Sequence, residues 1–271
     1  MATNESDVPT IDGVELTAKD VSIPFPEEFA TVEEERAHRK AKLAGALRLF
    51  GKFGFGEGVA GHITVRDPEF PDCFWVNPFG VSFRHMTSSD LILVNHDGDV
   101  VYGNRMVNPA AFALHAAVHK ARPDVIAAAH AHSIYGKAFS SLGIPLDPIT
   151  QDSCIFFNDH TLITEQGGAV VFDEDAAAKF AAGFPTGKAA IHQNHGLFTV
   201  ADTVDAAAFW FVTMERTCQA QLVAMAAGEP KLIRDEWAQH SLEIAGNPFA
   251  GWFSFQPMWQ DIQRSDPELF D

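Results

Sequence analysis

Apolar side chains recur along this chain with two periods. Where they fall three and four residues apart they predict helices, and where they alternate or run together for four to six residues they predict strands. Thr31-Val-Glu-Glu34 is a capping box, and the helix it opens runs through Ala41, Leu43, Ala46, Leu47 and Phe50 to stop at Gly51 or Gly54. Two β-rich runs follow, His62–Arg66 and Cys73–Asn77, divided by Asp67-Pro68. Leu91–Val94 and Val100–Tyr102 flank Asp97-Gly98 and predict a hairpin. Pro109–Ala121 reads as a helix, ended by Arg122-Pro123-Asp124, and Val125 to Ala131 as a buried strand. Ile134–Leu142, closed by Gly143, and Asp173–Phe184 read as helices, whereas Ser153–Phe157 has no definite type. A strand carrying Ile191 precedes a long helix capped by Asp202, with Phe209, Val212, Met214, Thr217 and Leu222 along it.

Two stretches lack either period. Residues 1–30 hold Pro9, Pro24 and Pro26 among acidic residues and read as an extended arm. Residues 229–271 carry Trp237, Trp252 and Trp259 with Pro248 and Pro257, and read as an irregular aromatic tail that packs on the domain or on a neighbouring subunit. Between them, strands alternating with helices on both sides predict an α/β layered domain over residues 31–228.

Composition narrows the function classes. A net charge of −17 excludes nucleic acid and anionic membrane as partners, since both select for clustered Lys and Arg. No apolar run approaches the roughly 18 residues of a membrane span. The start of the chain is acidic rather than signal-like, and Cys73, Cys154 and Cys218 form neither a CxxC motif nor a disulfide framework. These features predict a soluble cytoplasmic protein.

The chemistry is concentrated in histidines. His130 and His132 stand one residue apart at the end of a predicted strand, so both rings point to one face. His195, in Asn194-His-Gly196, follows a second strand. Three neutral imidazoles on two strand ends make a His₃ set for one divalent metal ion, Fe(II) or Zn(II), with open positions as in catalytic sites. A chance His-x-His pair is the plain alternative in a chain with twelve histidines. Gly61 and His62 lie in a glycine loop, and Asn77-Pro-Phe-Gly80 is a second loop whose amides can cradle an anion; plain tight turns are the competing reading. His115 and His119 sit one turn apart on a helix face and are candidate acid/base groups, or else satisfied core histidines. Glu57 and His62 are within reach of substrate in the first loop.

Taken in order, Gly61-His-Ile-Thr-Val-Arg66, Asn77-Pro-Phe-Gly80, Leu114-His115, Arg122-Pro-Asp124, His130-Ala-His132 and Asn194-His-Gly196 resemble the class II aldolase/adducin family, from about Thr31 to Gly228. The resemblance implies a central, mainly antiparallel sheet between helical layers, a homotetramer with sites at subunit interfaces, and His130, His132 and His195 as metal ligands. It implies a glutamate acid/base where this chain has Ala111. A positioned base contributes typically about 10²–10⁴-fold, and alanine supplies none. The missing acid is shared with a branch of non-haem iron oxygenases that shorten prenylated hydroxyphenylpyruvate. That branch implies an oxo-acid substrate and dioxygen, and Phe79, Phe83, Phe112, Phe156 and Phe157 are candidates to meet a bulky aromatic group. The other expectations are a zinc lyase acting on a small hydroxy-carbonyl compound and an adducin-like binding module without catalysis.

Overall fold

Thr31 opens the first long helix through both halves of its capping box. Its hydroxyl accepts the Glu34 amide at 3.2 Å, and the Glu34 carboxylate accepts the Thr31 amide at 3.2 Å. The computed structural model describes residues 10–12, 14–15, 22–165, 167–170 and 174–271. In the expected N-terminal arm, Thr10–Ile11 (β1) pairs with Val14–Glu15 (β2), and residues 22–29 carry no regular structure.

The helices are Val32–Lys52 (α1), Pro109–Ala121 (α2), Ile134–Ser140 (α3), Glu174–Ala182 (α4), Val204–Ala227 (α5), Asp235–Ala245 (α6) and Pro248–Ser265 (α7). The remaining strands are His62–Arg66 (β3), Cys73–Val76 (β4), Ile92–Asn95 (β5), Val100–Tyr102 (β6), Ala127–Ala131 (β7), His160–Ile163 (β8), Ala189–His192 (β9) and Gly196–Ala201 (β10). They form one sheet in the order β6-β5-β4-β3-β7-β10-β9-β8. Only β8 and β9 are parallel, and α4 supplies the crossover that a parallel pair needs. The α/β architecture with a mainly antiparallel sheet between helices is as the sequence predicts.

The central strands divide their side chains between two layers. Ile63 and Val65 of β3, Ala127, Ala129 and Ala131 of β7, and Leu197 of β10 pack with Leu43, Leu47 and Phe50 of α1 and with Phe211 of α5. The opposite face presents Ala128, Phe198 and Val200 to Leu114 and Val118 of α2 and to Phe180 of α4. Period two therefore sends His62, Thr64 and His130 to the α2 side, away from the larger apolar core.

Four readings are corrected. Gly196–Ala201 and His160–Ile163 are strands that went unread: the first is buried on both faces and lacks alternation, and the second is a short edge strand. The cap of α5 is Thr203, whose side chain accepts the Ala206 amide, rather than Asp202. The aromatic tail is regular, not irregular. Asn247 caps α7, and Pro248 occupies the first helical turn, where no N–H is required. Helix α7 packs on α5 and α1, burying Trp252, Phe255 and Ile262.

Candidate metal centre

β7 lies between β3 and β10, and this placement assembles the site. His62 of β3 is the direct cross-strand partner of His130, and Phe198 of β10 is its partner on the other side. Beyond β9 the chain reverses through Gln193, Asn194 and His195. The His195 amide donates to the His192 carbonyl at 3.0 Å, and Asn194 takes a left-handed φ of 57°, a conformation that asparagine tolerates. The turn delivers His195 beside the end of β7. Ring centroids are 5.2 Å apart for His130 and His132, 4.9 Å for His130 and His195, and 4.9 Å for His132 and His195. One ligand nitrogen from each ring lies within 4.8 Å of the others.

The donor chemistry fits a divalent ion. His130 Nδ1 donates to the Leu197 carbonyl at 2.7 Å, which leaves Nε2 as its free lone pair. His132 Nε2 and His195 Nε2 face each other at 3.1 Å. Adjacent ligands with metal–nitrogen bonds of about 2.0–2.1 Å take up a similar separation. Burial holds all three rings neutral, the form that ligates. His195 is pulled down to about 3 by burial, with His192 and His132 adding to the effect. His130 falls well below the ordinary histidine value through burial and its two neighbours. His132, half-buried, is lowered by burial and then by the charge of Lys137.

A cavity of about 320 Å³ opens onto the three rings. His62 and Gly61 line it, and so do Leu114, Asn108, Asn194 and Lys137. A second cavity of about 330 Å³ shares Val59, Ala60 and His62 with the first and is bounded by Asn77, Phe79, Gly80, Phe83 and Arg84. The two glycine loops therefore border one continuous wall. Gly61 has φ +99°, and a side chain there would press on the Ala131 and His130 backbone at 3.3 Å. Asn77 braces this turn: its Oδ1 accepts the Ile63 amide at 3.3 Å. Phe79 is exposed beside the second cavity, its amide donating to the Met106 carbonyl at 2.7 Å.

The structure does not bring every predicted residue to this cavity. Phe112 is buried among Phe74, Val76, Ile92 and Val94, because its face of α2 meets the sheet rather than the cavity. Phe156 is likewise core, beside Trp210. His119 lies deep under β3, stacked on Phe74 with centroids 4.3 Å apart. Its Nδ1 donates to the Val125 carbonyl at 3.2 Å, so its Nε2 accepts the Thr64 hydroxyl at 2.8 Å. The same hydroxyl oxygen then accepts from His115 Nδ1 at 2.8 Å, leaving His115 Nε2 as a buried lone pair without a partner among the described residues. His115 stands behind His62, 6.1 Å between centroids, and outside the cavity lining. His62, pulled down to about 3 by burial and then His132, is the histidine of this group that reaches the cavity. Lys137 was not legible as a site residue. Its only sequence signal is its place one turn into the helix that follows His132.

The family profile described as class II aldolase and adducin N-terminal domain matches residues 41–222. A decarboxylase of Streptomyces niveus, NovR, is 44% identical over 246 residues, covering 90% of this chain and 91% of the relative. The 4-hydroxy-3-prenylphenylpyruvate oxygenase/4-hydroxy-3-prenylbenzoate synthase of Streptomyces roseochromogenus subsp. oscitans is 43% identical, covering 90% of this chain and 88% of its own. A solved structure described as L-fuculose 1-phosphate aldolase from Glaciozyma antarctica PI12 superposes with a TM-score of 0.84 at 47% identity, over 90% of this chain and 96% of that one.

Proposed function

Because the chain belongs to the class II aldolase and adducin family, we propose that it is an enzyme that oxidatively decarboxylates a bulky aromatic 2-oxo acid, with Fe(II) held by His130, His132 and His195. One observation carries this reading: among the described residues, the lining of the histidine cavity contains no carboxylate side chain, and Glu57 beside it is paired with Lys137 rather than aimed at the three rings. Retro-aldol cleavage begins with removal of a hydroxyl proton, and a positioned base is the usual agent. A 2-oxo acid presents a ketone at that carbon, so no such proton has to be moved. A divalent ion bound by the three imidazoles supplies a Lewis-acid centre with open positions and, as Fe(II), a reductant for dioxygen.

The protein's own groups do the rest. The Leu197 carbonyl holds the His130 ring in its ligating tautomer. The Gly61 and Gly80 loops, braced by Asn77, place backbone along the wall that both cavities share. Val59, Leu114 and Phe79 supply apolar surface for an aromatic group. The names of the two Streptomyces relatives support a decarboxylating oxygenase. The aldolase description of the superposed structure supports zinc-dependent lyase chemistry as the second reading.

Three free cysteines support a cytoplasmic setting, and no helix among the described residues is long and apolar enough to cross a membrane. Exposed Val101 and Tyr102 of the edge strand β6, with exposed Met106 beyond its end, support association into the homotetramer that the family resemblance implies. Metal analysis of anaerobically purified protein, with dioxygen uptake on aryl-pyruvates, tests the proposal. The expected result is one iron per subunit and substrate-dependent oxygen consumption, both lost in His132→Ala while the circular dichroism spectrum is kept. Zinc, aldehyde release from aldol substrates and no oxygen uptake would replace this reading with the lyase.

A further inference from the structure

Of all the side chains described around the histidine cavity, only Lys137 is cationic. It stands at the mouth, where its Nζ meets Glu57 Oε2 at 2.5 Å. Both side chains are partly exposed, 36% and 44%. Glu57 belongs to the first glycine loop, whose Ala60 amide donates to the Glu57 carbonyl at 3.0 Å. The ion pair therefore ties the loop that walls the cavity to the helix that follows His132.

The lysine is carried on a rigid mount. Ser133 Oγ and the amides of Tyr135 and Gly136 all donate to the buried carboxylate of Glu215 on α5, at 2.5, 2.9 and 2.6 Å. Gly136 packs closely against β10, since an added Cβ would lie 2.7 Å from Leu197 Cγ and 2.9 Å from Ser133 Oγ. Helix α3 is thus anchored next to β7 by the Glu215 carboxylate, and the stem of Lys137 leaves it beside the metal ligands. In a chain of net charge −17, Lys137 is the positive side chain available to an anion at this cavity.

We propose that Lys137 is the residue that selects a substrate carboxylate, exchanging Glu57 for the carboxylate of the entering oxo acid. Glu57 is then a place-holder that keeps the ammonium over the mouth between substrates. The exchange replaces one carboxylate partner by another, and an exposed ion pair contributes too little to oppose it. The inference rests on the oxo-acid reading, and it extends that reading to a residue that neither holds the metal nor lines the glycine loops.

The test is equilibrium binding of phenylpyruvate and of its methyl ester to iron-loaded protein without dioxygen, followed by oxygen-uptake kinetics. Lys137→Gln is expected to weaken phenylpyruvate binding by about ten- to a hundred-fold, the range for loss of a charged hydrogen bond. KM rises with it while kcat changes little, ester binding is unaltered, and Lys137→Arg recovers most of the loss. Glu57→Gln is expected to tighten phenylpyruvate binding, because the competing carboxylate is gone. Unchanged phenylpyruvate binding in Lys137→Gln overturns the assignment. So does equal loss of acid and ester, which would mark a purely structural lysine. Iron content measured on each variant separates a damaged site from a lost anion contact. Wild-type protein that binds phenylpyruvate through Lys137 yet consumes no oxygen would leave this inference standing and remove the oxygenase reading.

Discussion

Thr64 has one proton and two imidazole neighbours, and this arithmetic orders the whole cluster beneath β3. Its hydroxyl donates to His119 and accepts from His115, so each ring is held in a single tautomer. Thr64→Val keeps the shape and removes both bonds, leaving two buried ring nitrogens unsatisfied. The expected loss is about 2–6 kcal/mol in urea denaturation, from roughly 1–3 kcal/mol for each of the two orphaned groups. A loss under about 0.5 kcal/mol would show that water satisfies the rings instead. The sequence placed His115 and His119 on one helix face, as found, but which of them reaches the cavity depends on the sheet that the face meets. Lys137 was silent for the same reason. Its relation to Glu57 and the histidines exists only across separate elements.

At the scale of elements, the best-read segments are those with a period and a stop signal. The bounds of α2 and β3 agree with the sequence residue for residue, since Pro109, Arg122-Pro123 and Asp67-Pro68 punctuate them. The rules fail for β10, which lacks alternation, and for α7, which carries Pro257 in its interior, where proline ordinarily signals a break. The α7 helix belongs to the core through Gly251, where an added Cβ would come within 2.4 Å of the Trp210 ring. Gly251→Ala is therefore expected to lower stability by about 1–3 kcal/mol through overpacking. Equilibrium denaturation measures this directly, and an unchanged midpoint would mean that α7 rides loosely on α5.

For the whole molecule, the buried histidines set an acid limit. His62, His119 and His195 are each lowered to about 3, chiefly by burial, and His115 and His130 lie lower than ordinary histidine for the same reason. Between pH about 6.5 and 3 the unfolded chain takes up protons that the folded chain refuses. Stability of the metal-free protein is therefore full above about pH 7 and falls as pH drops below about 6.5. The slope is up to about 1.4 kcal/mol per pH unit for each such ring. Thermal melts at stepped pH check the sign, and a flat profile from pH 7 to 4 would contradict it. On the proposed ligation, metal is expected to steepen the dependence, since only neutral rings ligate.

The sheet order also has a kinetic meaning. His130 takes its strand partners from His62, far upstream, and Phe198, far downstream, while His195 arrives on the turn between the last two strands. No segment shorter than the stretch from β3 to β10 contains the complete centre with its supporting strands. Pairings of such long range are slow to form. On the proposed assignment, capture of the ion is a late event in the life of the nascent chain, and its onset marks the moment at which the central sheet has closed.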